Sequence, residues 1–326
     1  MAATLGLALL AFALGAGFGP LWLQLLRAQG VGKQLNPSEI NPANPAEHAG
    51  KEGTPTMGGM VFLAPILAVG LTFGVLFHGR LLMLVPLALA ASCAVLGAAD
   101  DMQTLVGRQR SAGLSPRTKW VAQIAMSLAG AGLLAYAGVT QVHVPFVGVY
   151  VLPPWLYTLF AALVLVATIN AVAITDGMDS LLGTTAAIAF AAFWIIGLLL
   201  GYPLTATLCA ICVGALLAYL WFNAYPAQLW MGDTGSLALG ALLGMVALLE
   251  REPFLLLPIG IIFVAEAASD ILQVASNKLT GKRLFRLAPV HHHFRRGGWP
   301  ETWVVQRFWI VGALGALVGL LVAAKG

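Results

Sequence analysis

Long apolar stretches separated by short polar segments run through most of the chain. A membrane-spanning helix needs about 20 mostly apolar residues, and only helices or closed barrels pair all their backbone groups inside lipid. Runs of this length favour helices over the roughly ten-residue alternation of a barrel strand. About ten stretches qualify. The predicted spans are Ala2–Leu26, Met57–Phe77, Leu81–Ala99, Lys119–Gly138, Pro154–Ala173, Leu181–Leu200, Pro203–Phe222, Gly235–Leu249, Phe254–Leu272 and Thr302–Ala324.

The composition supports the same architecture. Hydrophobic residues make up 60% of the chain and charged residues only 9%, whereas a soluble domain carries roughly 25% charged residues. We therefore expect an all-α polytopic membrane protein, with residues 1–326 forming one integral-membrane domain. Cys209 and Cys212 are spaced as in zinc sites, but no second pair completes such a site, and an apolar helical role is favoured for both.

The basic residues are distributed unevenly between the two sides of the predicted bundle. If the segments after spans one, three, five, seven and nine share a side, that side and the start of the last span hold 14 of the 17 lysines and arginines. This bias predicts that the basic side is cytoplasmic and that both termini lie outside, with the first span uncleaved. The basic side carries Arg27, Lys33, Lys51, Arg108, Arg110, Arg117, Lys119, Lys278, Lys282, Arg283, Arg286, Arg295, Arg296 and Arg307, and the other side carries Arg80, Arg251 and Lys325.

Acidic residues gather at the same ends of the predicted spans, so the protein is expected to have one working face, towards the cytoplasm. Acids within or beside a span are costly and indicate function or pairing. Asp100 and Asp101 end the third span; adjacent helical residues point about 100° apart, so one acid is expected at a metal or base position and the other on a basic side chain. The remaining acids of this face are Asp176, Asp179, Asp233, Glu266 and Asp270.

Two of these clusters fit a site for a phosphate-bearing ligand. Asp176 and Asp179 share a face if their segment is helical, although one of them alone would suffice as a helix cap. Asp233 precedes the eighth span, where free backbone N–H groups favour a carboxylate. Mg²⁺ prefers one or two carboxylates together with water and phosphate oxygens. Asp233 is therefore the predicted Mg²⁺ ligand, with a simple capping role as the alternative.

Basic and hydroxyl side chains complete the candidate site. The consecutive His291, His292 and His293 cannot easily share one metal ion, so hydrogen bonding to phosphate or carboxylates is favoured over zinc binding. Lys51 lies in KEGTPTMGG, where Thr56 is a candidate helix cap. Lys119 begins the fourth span, either facing the acids or extending towards lipid headgroups.

Seven motifs, taken in order, resemble those of the phospho-N-acetylmuramoyl-pentapeptide-transferases. This family is a branch of the polyprenyl-phosphate N-acetylhexosamine-1-phosphate transferase superfamily, and the resemblance runs from about Lys51 to Ile310. The APVHHH and GTPTMGG segments are the more specific to this branch. The motifs are KEGTPTMGG, AADD, GLSPRTK, NAVAITDG, FNAYPAQLWMGDTGS, SNKLTGKRLFRLAPVHHHF and GWPETWVVQRFWI.

The resemblance implies a ten-helix enzyme of the bacterial inner membrane with a cytoplasmic active site, often a homodimer. It implies transfer of phospho-N-acetylmuramoyl-pentapeptide from the UDP-linked precursor to undecaprenyl phosphate, which gives lipid I and UMP. Membrane lipid is then a partner, and no nucleic acid is expected. The implied catalytic residues are Asp100 as base or nucleophile, Asp101, the Mg²⁺ ligand Asp233, and His291, His292 and His293. The implied substrate-binding residues are Lys51, Thr56, Lys119, Asn170, Asp176, Asp179, Asn223 and Trp230.

Four positions depart from the family pattern, and two rival functions stay open. Thr104 stands where a lysine is usual, Ala173 where asparagine is usual, Trp230 where phenylalanine is common, and Asp270 where an apolar residue is usual. A sister transferase that uses UDP-N-acetylglucosamine is the nearest alternative. An ion-coupled transporter is the rival from another class, although acids at one face and the lack of a repeat argue against it.

Overall fold

The structure, a computed structural model, describes residues 1–30, 32, 51, 53–77, 81–106 and 113–325. It is mainly helical, which confirms the predicted helical membrane architecture at that level. The longer helices are α1 (Ala2–Ala28), α2 (Met60–Val69), α3 (Leu84–Val106), α4 (Pro116–Tyr136), α5 (Pro154–Ile174), α6 (Leu181–Leu199), α7 (Pro203–Asn223), α8 (Gly232–Leu249), α10 (Ile261–Thr280) and α12 (Glu301–Lys325). The short helices are α9 (Leu256–Ile259) and α11 (Val290–Arg296).

Within the described residues, seven helices are long and apolar enough to cross a membrane, or eight if one bent pair counts as a span. The predicted number of about ten is therefore not confirmed, and the side on which the termini lie stays a prediction. The seven are Ala2–Ala28, Leu81–Thr104, Pro154–Ile174, Leu181–Leu199, Pro203–Asn223, Gly232–Leu249 and Glu301–Lys325.

The other three predicted spans are irregular or more polar. Helix α2 is short and continues as a π-helix over Gly70–Phe77. Helix α4 forms as predicted, with the Ser115 hydroxyl accepting the Thr118 N–H at its start, but it does not meet the same length-and-apolarity criteria. The predicted span Phe254–Leu272 is not one straight helix. Its two helical parts, Pro253–Ile259 and Ile261–Thr280, are bent by 86° relative to each other. Pro258 and Gly260 stand at this break, where both disfavour a continuous helix.

Helix α8, predicted as the shortest and least certain span, lies at the centre of the bundle. It packs against α3 on one side and α5 on the other, and nearly all of its residues are buried. Gly97 lets α3 approach closely, because a Cβ there would collide with the backbone of Asp233. This packing brings the acid pair of α3 to the first turn of α8. Cys93, Cys209 and Cys212 are buried free thiols, as the apolar role predicts.

A short antiparallel hairpin, β1 (Gln141–Val144) and β2 (Gly148–Val151), connects α4 and α5. No pattern in the sequence had indicated these strands. The hairpin is tied to the loop after α8: the His143 N–H donates to the Arg251 carbonyl, and His143 Nδ1 lies 2.7 Å from Glu252 Oε1. These groups lie at the opposite end of the 18-residue α8 from Asp233, roughly 27 Å away.

Some predictions lie outside the described residues. They concern the Pro/Asn-rich loop Asn36–Pro45, predicted to be irregular, and four of the charges used for the side assignment, Lys33, Arg80, Arg108 and Arg110. The division of the chain into one domain also stays a prediction.

Candidate active site

The Asp100–Asp101 pair lies inside helix α3, not at its end. The sequence had predicted that the span ends at Ala99, but the helix continues to Val106. Thr104, where the family has lysine, donates its hydroxyl to the Asp100 carbonyl at 3.0 Å. Since the two acids are adjacent on one helix, their carboxylates point in different directions, and each has its own set of partners.

Asp101 caps the start of α8 from a neighbouring helix. Its carboxylate accepts hydrogen bonds from the N–H groups of Asp233 at 3.2 Å and Thr234 at 3.1 Å, and from the Thr234 hydroxyl at 2.7 Å. The first N–H groups of a helix have no partner within the helix, and they favour an anion. Asp101 thereby fixes the backbone on which Asp233 stands, so Asp233 itself does not act as the predicted cap.

Lys119 joins Asp100 to Asp233. Its ammonium lies 2.7 Å from Asp100 Oδ2 and 2.9 Å from Asp233 Oδ2. The other oxygen of Asp100 accepts the Leu114 N–H at 2.6 Å. The Lys119 and Asp233 side chains are partly exposed, at 28% and 35%, so this end of the cluster opens outward. Of the two alternatives for Lys119, the structure favours the one in which it faces the acids.

Asp179 organises the turn after α5 together with the loop before α8. Its carboxylate accepts the Ala227 N–H at 3.1 Å and the Trp230 indole N–H at 3.1 Å. Asn223 ties the same segments, accepting the Ser180 N–H through Oδ1 and donating from Nδ2 to the Leu229 carbonyl. The segment is a turn and not a helix, so Asp179 does not share a helix face with Asp176.

Lys51 lies in a buried ion-pair cluster, which we call the Glu301 cluster and which consists of Lys51, Asp179, Arg295 and Glu301. The Lys51 ammonium is 2.6 Å from Glu301 Oε1 and 2.8 Å from Asp179 Oδ2. Glu301 also accepts the Asp179 N–H at 2.8 Å, and Arg295 lies 3.4 Å from its second oxygen. Lys51 is 7% exposed, so a phosphate would have to displace one of these carboxylates to bind it.

Glu301 was not selected from the sequence, although a signal for it existed. It follows Pro300 at the first position of the last helix, where an acid suits the helix dipole. Such an acid is usually exposed, and only the tertiary structure shows that this one is 1% exposed and contacts three other segments.

The three histidines have three different environments. His291 is buried and its Nδ1 lies 2.9 Å from Glu266 Oε2, which agrees with the expected carboxylate pairing. His293 Nδ1 accepts the Arg286 N–H at 3.1 Å. Burial, together with the nearby His291, Arg295 and Arg296 charges, lowers the pKa of His292 to about 3. His292 is therefore neutral at physiological pH.

The remaining predicted residues are Thr56, Asn170 and Asp176. The Thr56 hydroxyl and the Asp101 carboxylate both lie beside Gly232, where an added Cβ would collide with them. Asn170 donates to Gln123 Oε1 at 2.9 Å and to the Val166 carbonyl. Asp176 follows α5 and is partly exposed. Gln123, which the sequence did not single out, thus positions Asn170 from α4.

The cluster around Lys119 has donors that suit Mg²⁺. Two carboxylate oxygens, from Asp100 and Asp233, already converge on one cation, the Lys119 ammonium. In the described part of the chain no three His, Cys, Asp or Glu side chains form a complete metal-binding group. Mg²⁺ commonly uses one or two carboxylates, with water and substrate phosphates supplying the rest, so the arrangement fits such an ion.

Comparisons with known proteins agree with this geometry. Residues 83–250 match the sequence profile described as glycosyl transferase family 4. A protein of Chloroflexus aurantiacus named phospho-N-acetylmuramoyl-pentapeptide-transferase is 41% identical over 341 residues, covering 99% of this chain and 90% of the relative. Proteins of the same name from Shouchella clausii and Staphylococcus carnosus are 39% and 37% identical, covering 96% of this chain and 95% and 97% of the relatives. Similarity of this extent over nearly the whole length shows that the chain belongs to the phospho-N-acetylmuramoyl-pentapeptide-transferase family.

Proposed function

We propose that this multi-pass membrane transferase moves phospho-N-acetylmuramoyl-pentapeptide from UDP-N-acetylmuramoyl-pentapeptide to undecaprenyl phosphate. The products are lipid I and UMP. The observation that carries the proposal is the convergence of Asp100 and Asp233 on a single cation at an open end of the bundle, in a chain of this family.

The chemical problem is that two anions must meet. Phosphoryl transfer depends mainly on charge neutralisation and positioning. Asp233, with Asp100 facing the same position, would hold Mg²⁺, which neutralises charge on the diphosphate and on the departing UMP. Lys119, whose ammonium contacts both carboxylates, supplies a further positive charge, and Asp101 keeps the Asp233 backbone in place.

The surroundings of Asp100 support direct attack by the lipid phosphate. Both Asp100 oxygens already accept hydrogen bonds, one from Lys119 and one from the Leu114 N–H. A carboxylate engaged in this way is a weak nucleophile, so a covalent aspartyl phosphate is disfavoured. Asp100 then orients Lys119, and to take a proton from the lipid phosphate it would have to release one of these two hydrogen bonds.

The uridine moiety is assigned to the segments that Asp179 and Asn223 hold together. The Trp230 indole is fixed by its hydrogen bond to Asp179 and offers an aromatic face for a base. Asp176 and Asn170 border this region. Thr56 and the His291–His293 segment would line the phosphate side, and Lys51 would reach a phosphate only by leaving one of its two carboxylate partners.

The charge distribution supports a cytoplasmic active site, because most basic residues lie on the same side as the acids. The lipid substrate would reach the site laterally from the membrane. A homodimer is proposed from the family alone.

The first test measures UMP release by purified protein given UDP-N-acetylmuramoyl-pentapeptide, undecaprenyl phosphate and Mg²⁺. Release that needs all three components and falls at least a hundredfold in Asp233→Asn supports the function and the metal site together. The exposed Gln306→Ala variant is the matched control and keeps wild-type activity. Release only with UDP-N-acetylglucosamine would identify the sister activity, and uptake into sealed vesicles without a chemical product would identify a transporter.

A further inference from the structure

Glu266 and His291 form a buried pair between α10 and α11. They are 0% and 1% exposed, respectively. Glu266 Oε2 accepts from His291 Nδ1 at 2.9 Å and from the His291 backbone N–H at 3.4 Å. Because an ionised carboxylate only accepts hydrogen bonds, the contact places a proton on Nδ1. The pair therefore fixes both the orientation of the ring and which nitrogen remains available.

The available nitrogen, Nε2, has no hydrogen-bond partner among the residues that the structure describes. It points at Gly177, an exposed residue of the turn that carries Asp176 and Asp179, and a Cβ on Gly177 would collide with it. Leaving a buried polar atom unpaired is destabilising. A nitrogen kept unpaired beside an exposed glycine, on the border of the candidate site, indicates that a ligand supplies the missing partner.

The charges around the ring indicate what that partner is. A single carboxylate, Glu266, contacts the ring directly, and a carboxylate on Nδ1 stabilises the doubly protonated imidazolium. An imidazolium donates from Nε2, and a phosphate oxygen is a strong acceptor. The packed elements also carry other charged or titratable groups, which are His292, His293, Arg295 and Arg296 on α11, Asp270 and Lys278 on α10, Asp176 and Asp179 in the turn, and Glu301, Arg307 and Lys325 on α12.

We propose that Glu266 is a positioning residue for the transfer reaction, which holds His291 through Nδ1 so that Nε2–H donates to a phosphate oxygen of a substrate. The inference rests on the proposed function and deepens it. The oxygen belongs either to the diphosphate of the sugar nucleotide or to the lipid phosphate, and the kinetic constants for the two substrates distinguish these sources.

The test compares wild-type protein with Glu266→Gln, whose amide oxygen still accepts the Nδ1–H but carries no charge. We expect kcat/KM to fall about tenfold and its pH profile to change, because the negative charge held against the imidazole ring is lost. A higher KM for the sugar nucleotide alone assigns the diphosphate, and a higher KM for undecaprenyl phosphate alone assigns the lipid.

The matched control is Ser269→Ala. Ser269 is buried on the same helix and donates to the Glu266 carbonyl, not to its carboxylate, so the control keeps the wild-type pH profile. In a His291→Gln background, Glu266→Gln should add less than a twofold loss, because Glu266 acts through His291.

An unchanged pH profile in a folded Glu266→Gln protein would overturn the inference, as would a full additional loss in the double variant. Inactive wild-type protein would instead count against the proposed function. A measurement of UDP binding separates the two cases without turnover. Binding is measured as the thermal stabilisation that UDP gives the protein at several pH values. If Glu266→Gln leaves the pH dependence of UDP binding and that of turnover unchanged, the pair has no role in recognising phosphate.

Discussion

Substitution of Glu301 tests how the Glu301 cluster holds together the segments beside the candidate site. Glu301→Ala removes the acceptor for the Lys51 ammonium, for the Asp179 N–H and for Arg295. Breaking a buried ion pair from one side costs about 3–5 kcal/mol, because the remaining charge stays buried. At roughly 2 °C per kcal/mol for a chain of this size, the melting temperature should fall by roughly 5–10 °C.

The isosteric Glu301→Gln separates charge from shape. Its amide oxygen still accepts from Asp179 and Lys51, so the expected loss is smaller, about 1–3 kcal/mol. Lys51→Met combined with Glu301→Gln removes charge from both partners. This double variant should lose less stability than the sum of the single losses, since the two changes remove the opposite charges of one ion pair together.

The assay is thermal unfolding in detergent, followed by tryptophan fluorescence, with UMP release measured in parallel. The exposed Gln306→Ala, on the same helix, is the control and should melt with the wild type. Since Glu301 positions Asp179, and Asp179 fixes the Trp230 indole, KM for the sugar nucleotide should also rise. Melting of Glu301→Ala within 1–2 °C of wild type, with Lys51→Met and Glu301→Gln losses that simply add, would refute this reasoning.

Three further predictions follow from other contacts. Asp101→Asn turns an amide donor towards the first N–H groups of α8. We therefore expect the free energy of unfolding to fall by about 1–2 kcal/mol and the rate of UMP release to fall at least tenfold. Wild-type values of both would contradict the capping role. Burial raises the pKa of Glu250 to about 9. Between the ordinary pKa of a glutamate carboxyl and about 9, the folded protein therefore binds more protons than the unfolded chain. The free energy of unfolding should fall as pH rises through this window, by up to about 1.4 kcal/mol per pH unit. Melting scans should show a flatter slope for Glu250→Gln, and an equal slope would exclude Glu250 as the source. Gly177→Ala forces the His291 ring to move, so turnover should fall at least tenfold with little change in melting temperature.

Much of the fold could be predicted because lipid imposes a simple rule on sequence. Apolar runs of about 20 residues identify spanning helices without knowledge of their neighbours. The pattern was weaker where other forces act. Helix α8 lies among other helices and needs no lipid-facing surface, so its short, Gly-rich sequence looked weak. Helix α4 carries polar residues, such as Gln123, that pair with other helices.

The candidate site could likewise be predicted from the sequence only in part. The acids at one face of the bundle were visible in the sequence because charges are rare in such a chain. Their division of roles was only partly visible. The adjacency of Asp100 and Asp101 predicted that one of them contacts a basic side chain, and Asp100 contacts Lys119; the contact of Asp101 with the start of α8 was not predicted. The Glu301 cluster joins residues up to 250 positions apart, and no local pattern indicates such a contact.

The central claim is that a phospho-sugar is transferred to a lipid phosphate at the Asp100–Lys119–Asp233 cluster. The most direct measurement follows UDP-N-acetylmuramoyl-pentapeptide labelled in the sugar, incubated with undecaprenyl phosphate and Mg²⁺, and identifies the products by extraction into organic solvent and mass spectrometry. We predict a lipid-linked sugar diphosphate formed in equal amount to UMP, and its loss in Asp233→Asn. Labelled sugar that stays in the aqueous phase with folded wild-type protein, or a lipid product undiminished in Asp233→Asn, would contradict the account.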